Sequence, residues 1–238
     1  MALFTLDKKG VLLAFVFGAV LWFLGRGIGY FFVLESIVFI VVAALATDLG
    51  TAYKKKVGTY QRDRGIRNVL ANGLAPLLMA VGFFLAGIYL PGSHASLLFL
   101  VGFVGSVAAV TADKFGSEIG VFGGKPVMIF TGKPVRIGTS GGITILGLLA
   151  GLVASGIMAV PVLTISGFVA RSVPHATMAT LGVLIWAVIA GGFVGNVADS
   201  VLGYWEEKKI GNKYTSNFIS SVVGGAVAIL IFWVLVTL

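Results

Sequence analysis

The chain has no cysteine and only two histidines, His94 and His175, among 238 residues. Disulfides and thiolate-bound metals are excluded, and a histidine-rich zinc site lacks ligands. Charge is scarce as well: 11% of residues are Asp, Glu, Lys or Arg, against 58% hydrophobic. Soluble domains carry about a quarter charged residues, so this balance excludes a soluble class. What fills the chain instead is a series of apolar stretches that reach or approach the roughly 20 residues a helix needs to cross a bilayer. Seven spans are expected, at about 10–25, 31–48, 68–90, 95–113, 143–166, 176–198 and 217–237. The fold class is therefore all-α and polytopic, with residues 1–238 forming one transmembrane domain and a loop at about 113–142. The first stretch follows Lys8 and Lys9 as a signal peptide would, but Gly25, Arg26, Gly27 and Gly29 after it offer no Ala-x-Ala-like cleavage site. It is read as a helix.

Placing the N-terminus inside puts all but Arg26 and Arg171 of the 17 basic residues on the inner side, a strong positive-inside asymmetry. The expectation is an integral protein of the cell (plasma) membrane whose loops face the cytoplasm. Asp48, Asp113 and Asp199 then end spans two, four and six on that same side. Ionisable groups at a bilayer edge are costly and usually functional. The formal charge of +8 would meet anionic headgroups, a nucleotide or a phosphorylated substrate there. Nucleic acid is a poor partner, because the charge is split among short loops between membrane helices.

The inner loops repeat a pattern. Thr47-Asp48-Leu49-Gly50 runs into Lys54-Lys55-Lys56, and Ala198-Asp199-Ser200 into Lys208-Lys209, while Ala112-Asp113-Lys114 opens the loop between. Each is followed by a small, polar helix start that includes Asn68 and Asn72, Gly138 to Gly142, or Ser216 and Asn217. One reading is a pseudo-threefold set of hairpins converging on one site. The other is that membrane helix ends commonly carry an acid, a basic loop and a polar cap.

Chemistry concentrates at 111–142. Asp113 and Glu118 lie about 140 degrees apart around a straight helix, so they converge only if the backbone breaks, and Gly116 permits a break. Two such carboxylates, with Asp199 as a third, suit Mg2+, which takes oxygen ligands shared with substrate phosphates. Asp48 is a further candidate by position. The alternative is an interfacial ion pair between Asp113 and Lys114 or a loop lysine. Gly124-Lys125-Pro126 is echoed by Gly132-Lys133-Pro134, followed by Arg136, Gly138, Thr139, Ser140, Gly141 and Gly142. A helix opening at about Ile143 would aim free amides at an anion. This is no Walker loop, since proline follows both lysines, and a turn with a short strand at 127–130 is the competing reading. Asn68, Asn72, Asn196 and Asn217 stand at inner helix ends, where they orient carboxylates, bind phosphate or cap helices. Glu35 and Arg26 suggest an outer interfacial pair, His94 and His175 solvated outer loops, and Pro161 a kink in span five.

The blocks Ala112-Asp113-Lys114-Phe115-Gly116-Ser117-Glu118, Lys133-Pro134-Val135-Arg136-Ile137-Gly138-Thr139-Ser140-Gly141-Gly142, Gly195-Asn196-Val197-Ala198-Asp199-Ser200 and Thr215-Ser216-Asn217-Phe218 resemble the signatures of an integral membrane family. It includes plant phytyl-phosphate kinase and has prokaryotic members, and the resemblance covers about 10–238. It implies a CTP-dependent kinase that uses Mg2+ to turn an isoprenoid lipid monophosphate into the diphosphate. Asp113, Ser117, Glu118, Lys133, Gly138, Thr139, Gly141 and Asp199 match motif positions, with Asp113, Glu118 and Asp199 implied as metal ligands and Lys133 as a catalytic cation. Lys114 departs from the family, which commonly has a small hydroxyl residue there; a lysine either binds phosphate or competes with metal. The alternatives are a lipid-phosphate cytidylyltransferase and a transporter or flippase of isoprenoid phosphates.

Overall fold

A computed structural model describes residues 6–61, 64–172 and 178–237; Arg62 and His175, both placed by the sequence reading, lie outside them. Helix α1 spans Lys8–Leu24, α2 Gly29–Asp48, α3 Thr51–Lys56, α4 Ile66–Tyr89 and α5 Ala95–Gly120. Strands β1 (Val127–Met128) and β2 (Gly142–Ile143) follow, then α6 Ile145–Ala159, α7 Ser166–Ser172, α8 Met178–Glu207 and α9 Lys213–Thr237. Long apolar segments fold as helices because only intrasegment hydrogen bonds satisfy the backbone in lipid. Among the described residues six segments are long and apolar enough to cross a membrane: Arg26–Asp48, Ile66–Tyr89, Ala95–Gly120, Ile145–Ser172, Met178–Glu207 and Lys213–Val236. They coincide with expected spans two to seven. The first expected span is α1, whose 17 residues rise about 25 Å at 1.5 Å each. That is a few ångströms under the roughly 30 Å hydrocarbon core, at the lower limit of what spans one.

α5 is the hub. Within its apolar stretch 78% is buried in the protein, against 33–50% in the other five, and it packs on α2, α4, α6, α8 and α9. Close approach uses small residues, as expected where lipid removes the hydrophobic drive between helices. A Cβ at Gly105 would sit 2.5 Å from Ala228 Cβ, and one at Gly195 would sit 2.4 Å from Ala109 Cβ. Phe31, Phe32, Phe83 and Phe103 belong to the buried apolar core, the rings of Phe32 and Phe103 lying tilted with centroids 4.5 Å apart.

Several expectations are corrected. α5 runs unbroken through Gly116, because that glycine answers to packing: a Cβ there would lie 2.9 Å from the Gly147 carbonyl oxygen. α5 and α8 continue past the expected ends at 113 and 198, so Asp113 and Asp199 belong to continuous helices. Glu35 does not pair with Arg26. It is fully buried on α2 with both carboxyl oxygens lacking a partner, whereas the Arg26 guanidinium lies against Gly87. His94 lies, half-buried, in the turn between α4 and α5.

Pro161 acts as expected, ending α6 and opening a 3-10 turn over Val160–Ile165. The strand-like stretch from Val127 is β1, antiparallel to β2 with Val127 opposite Ile143. The three inner loops differ in build: a six-residue helix, a two-stranded ladder and a tight turn at Lys208–Asn212. They nevertheless meet at one end of the bundle. The N-terminal segment is tied into the first loop, since the Asp7 amide donates to the Arg64 carbonyl at 3.0 Å.

Candidate functional site

The loops enclose a cavity of about 370 Å³, within the range of small-molecule sites. Two groups of charges meet at it. On one side Glu118 of α5 is held by three cations. Its Oε2 takes a hydrogen bond from Lys54 Nζ at 2.7 Å and its Oε1 from Arg64 Nη2 at 3.2 Å, with Lys114 one turn before it bonding the same Oε1. Thr47 Oγ1 adds a hydrogen bond at 3.2 Å. Lys54 reaches Glu118 because α3 folds its side chain back under α2, where the ammonium also donates to the carbonyls of Ala46 and Thr47. Those are unpaired C-terminal carbonyls of α2, natural partners for a cation. Burial pulls the Arg64 guanidinium below its usual value, opposed by the Glu118 charge. Arg64 and Lys114 bring this positive charge to the cavity, with Lys54 buried behind Glu118.

The other wall is acidic. Asp113 of α5 and Asp199 of α8 line the cavity together, both buried. Ser220 Oγ donates to Asp199 Oδ1 at 3.4 Å, and Lys213 at the start of α9 faces both acids. Asn217 Nδ2 donates to Asn72 Oδ1 at 2.8 Å. Its own Oδ1 is buried without a partner. Two carboxylates and an orphaned amide oxygen form a donor set of the kind hard divalent cations take. Among the described residues no group of three His, Cys, Asp or Glu side chains comes together.

The structure brings Asp113, Lys114, Ser117, Glu118, Gly138, Thr139, Ser140, Gly141, Asn72, Asn196, Asn217 and Asp199 to the cavity wall. It separates Glu118 from the two aspartates, giving it to the cations. Asp48, at the end of α2, is off the cavity, and exposed Lys133 and Arg136 do not line it. The glycine turn is docked rather than open. The Ser140 amide donates to Glu207 Oε1 at 3.0 Å, and those of Thr139 and Gly142 go to backbone carbonyls. Gly141 has φ +74 and is pressed on α8, where a Cβ would meet the Tyr204 amide nitrogen at 2.6 Å. Nor does α6 open with free amides at Ile143: it starts at Ile145, with Thr144 Oγ1 accepting from the Gly147 amide at 3.0 Å.

Sequence reasoning missed Lys54, Arg64, Lys213 and Thr59, whose buried hydroxyl lacks a partner. The basic residues were read only as inner-loop charge. A signal existed in the requirement that a buried carboxylate on α5 find cations from elsewhere.

Fold and site together define a polytopic helical membrane protein with a two-walled charged cavity at one end. The chain belongs to the integral membrane protein family DUF92, whose profile matches residues 1–233. It is 31% identical over 233 residues to an uncharacterized membrane protein of Methanocaldococcus jannaschii, covering 95% of this chain and 86% of that one. It is 29% identical over 233 residues to Protein VTE6, chloroplastic, of Arabidopsis thaliana, and 29% identical over 177 residues to Protein PGR of the same plant. Those matches cover 94% and 70% of this chain but 65% and 61% of the plant proteins. No solved structure matches it.

Proposed function

We propose that the protein is a membrane phosphotransferase that converts a prenyl monophosphate, of the phytyl or geranylgeranyl type, to the diphosphate. The donor is a nucleoside triphosphate, CTP by the motif resemblance, and seven spans with an inner N-terminus turn the cavity toward the cytoplasm. The observation that carries this reading is that the acids Asp113 and Asp199 line the same cavity as the cations Arg64 and Lys114, with Lys54 buried behind Glu118. Two phosphorylated substrates brought together carry large negative charge. One wall attracts it directly, and the other suits a charge-bridging divalent cation.

Asp113, Asp199 and Asn217 Oδ1 are the groups that would hold Mg2+, which when bound neutralises donor phosphate charge. Arg64 and Lys114 orient the acceptor phosphate and offset the charge of the transferred group. One acceptor oxygen forms a new P–O bond to the donor's terminal phosphorus as the bond to the nucleoside diphosphate breaks. The acceptor oxygen is already ionised, so no strong general base is needed. Positioning and electrostatic stabilisation supply the rate. Glu118 acts one step back, fixing its three cations in place.

The test is incubation of purified protein with geranylgeranyl phosphate and each nucleoside triphosphate in turn. Release of nucleoside diphosphate with prenyl diphosphate supports the kinase. Release of inorganic diphosphate with a cytidylylated lipid replaces it with a cytidylyltransferase, and no turnover of any prenyl phosphate overturns it.

A further inference from the structure

A second cavity, of about 130 Å³, adjoins the first. It lies between α1, α2 and α4, and its wall is mostly apolar: Phe17, Leu21, Phe39, Ile40 and Pro76 line it. Arg64, Asn68, Asn72 and Val110 line both cavities. A polar, cation-bearing chamber thus leads through Arg64 and two asparagine amides into an apolar slot within the helices. A ligand spanning both has an anionic head and a hydrocarbon tail. The slot is well below the roughly 300–1,000 Å³ of ordinary ligand pockets, which selects one slender chain rather than a two-chain phospholipid.

We infer that this slot between α1, α2 and α4 seats the headgroup-proximal part of the acceptor's isoprenoid chain, its phosphate lying at Arg64, and that it sets the enzyme's preference for long-chain acceptors. The inference rests on the proposed prenyl-phosphate activity for the identity of the chain. The geometry for it is independent of the acidic wall. Gly18 lines the slot, and a Cβ there meets nothing within 4 Å. A large side chain at this position fills the slot without striking the backbone. Gly73 is the opposite case, its Cβ falling 2.6 Å from the Phe17 ring, so glycine there keeps the slot wall thin.

Two measurements on the full-length protein in detergent test this. In the first, Gly18→Phe lowers the ratio of kcat/KM for geranylgeranyl phosphate to that for dimethylallyl phosphate by about tenfold or more, the scale of lost apolar pocket contacts. Gly156→Phe on α6, also with open space at its Cβ and outside both cavities, keeps the wild-type ratio. An unchanged ratio in Gly18→Phe overturns the tail site. In the second, a prenyl phosphate with a diazirine on its first isoprene unit labels residues of α1, α2 or α4 on irradiation. Label confined to α6, α8 or α9, or no label competed by unmodified prenyl phosphate, overturns it. Turnover of prenyl phosphate without labelling of the slot removes the tail site and keeps the proposed activity. Labelling of the slot without turnover removes the activity and keeps the site.

Discussion

The ammonium of Lys54, with no exposed surface, lies 2.7 Å from the carboxylate of Glu118, 64 residues away in sequence. The contact ties α3 to the end of α5 and makes Glu118 an anchor for the cationic wall. Removing Lys54 leaves Glu118 with Arg64 and Lys114 but takes away a charged hydrogen bond and the donor to the Ala46 and Thr47 carbonyls, a loss of about 1.5–3 kcal/mol. Lys54→Ala is therefore expected to lower the thermal unfolding midpoint in detergent sharply. Lys133→Ala, at an exposed position, changes it by no more than about 0.5 kcal/mol equivalent. Equal midpoints for the two variants would show that the Lys54 contact is not made.

Asp113 and Asp199 are like charges brought together, so relieving one is expected to leave the fold intact or firmer while removing function. Asp113→Asn and Asp199→Asn each reduce phosphoryl transfer by about a hundredfold or more, the scale of a lost charge-stabilising group, with unfolding midpoints at or above wild type. Near-normal turnover in either variant would remove that carboxylate from the chemistry.

The two cationic regions separate cleanly by substitution. Arg64 and Lys114 line the cavity, whereas Lys133 and Arg136 are exposed away from it. Arg64→Ala is expected to raise KM for the acceptor about tenfold or more, as loss of a charged hydrogen bond does. Lys133→Ala and Arg136→Ala change kcat/KM by less than about threefold, as surface substitutions away from a site do. A collapse of activity in Lys133→Ala would mean that the loop closes over the cavity during turnover.

Chelation of divalent metal abolishes transfer if the acidic wall works as proposed, and added Mg2+ restores it. Asn217→Ala removes the orphaned amide oxygen and is expected to raise the Mg2+ concentration needed for half-maximal rate about tenfold, the smaller end of losses at groups around a metal. A Mg2+ requirement identical to wild type would exclude Asn217 as a ligand.

Gly141→Ala places a Cβ 2.6 Å from the Tyr204 amide nitrogen at φ +74, where L side chains are strained. A loss of about 1–3 kcal/mol is expected, with proteolysis of the 121–144 loop as the readout. Unaltered proteolysis would show that the turn is not docked on α8.

Much of this architecture was legible because membrane helices announce themselves by composition. The shared cavity of Asp113 and Asp199 was expected from placing them on one side, although both stand within continuous helices rather than at span ends. The partners of Glu118 were not legible. Lys54 and Arg64 lie 64 and 54 residues from it, and a lysine run reads as a solvated loop until a helix turns one member inward. Gly116 misled for a related reason: a glycine that permits a break and a glycine that lets two helices touch look the same in one chain. The glycine turn at 138–142 carries the composition of an anion cradle, but the carboxylate that occupies one of its amides, Glu207, comes from α8.

Arg64 faces two ways. Its main-chain oxygen accepts from Asp7 just ahead of α1, and its guanidinium grips Glu118. Besides packing on α2 and α4, α1 is thus tethered to the cavity at Arg64. A substitution that shifts the backbone at Arg64 would therefore disturb the seating of α1 and the cationic face of the cavity together.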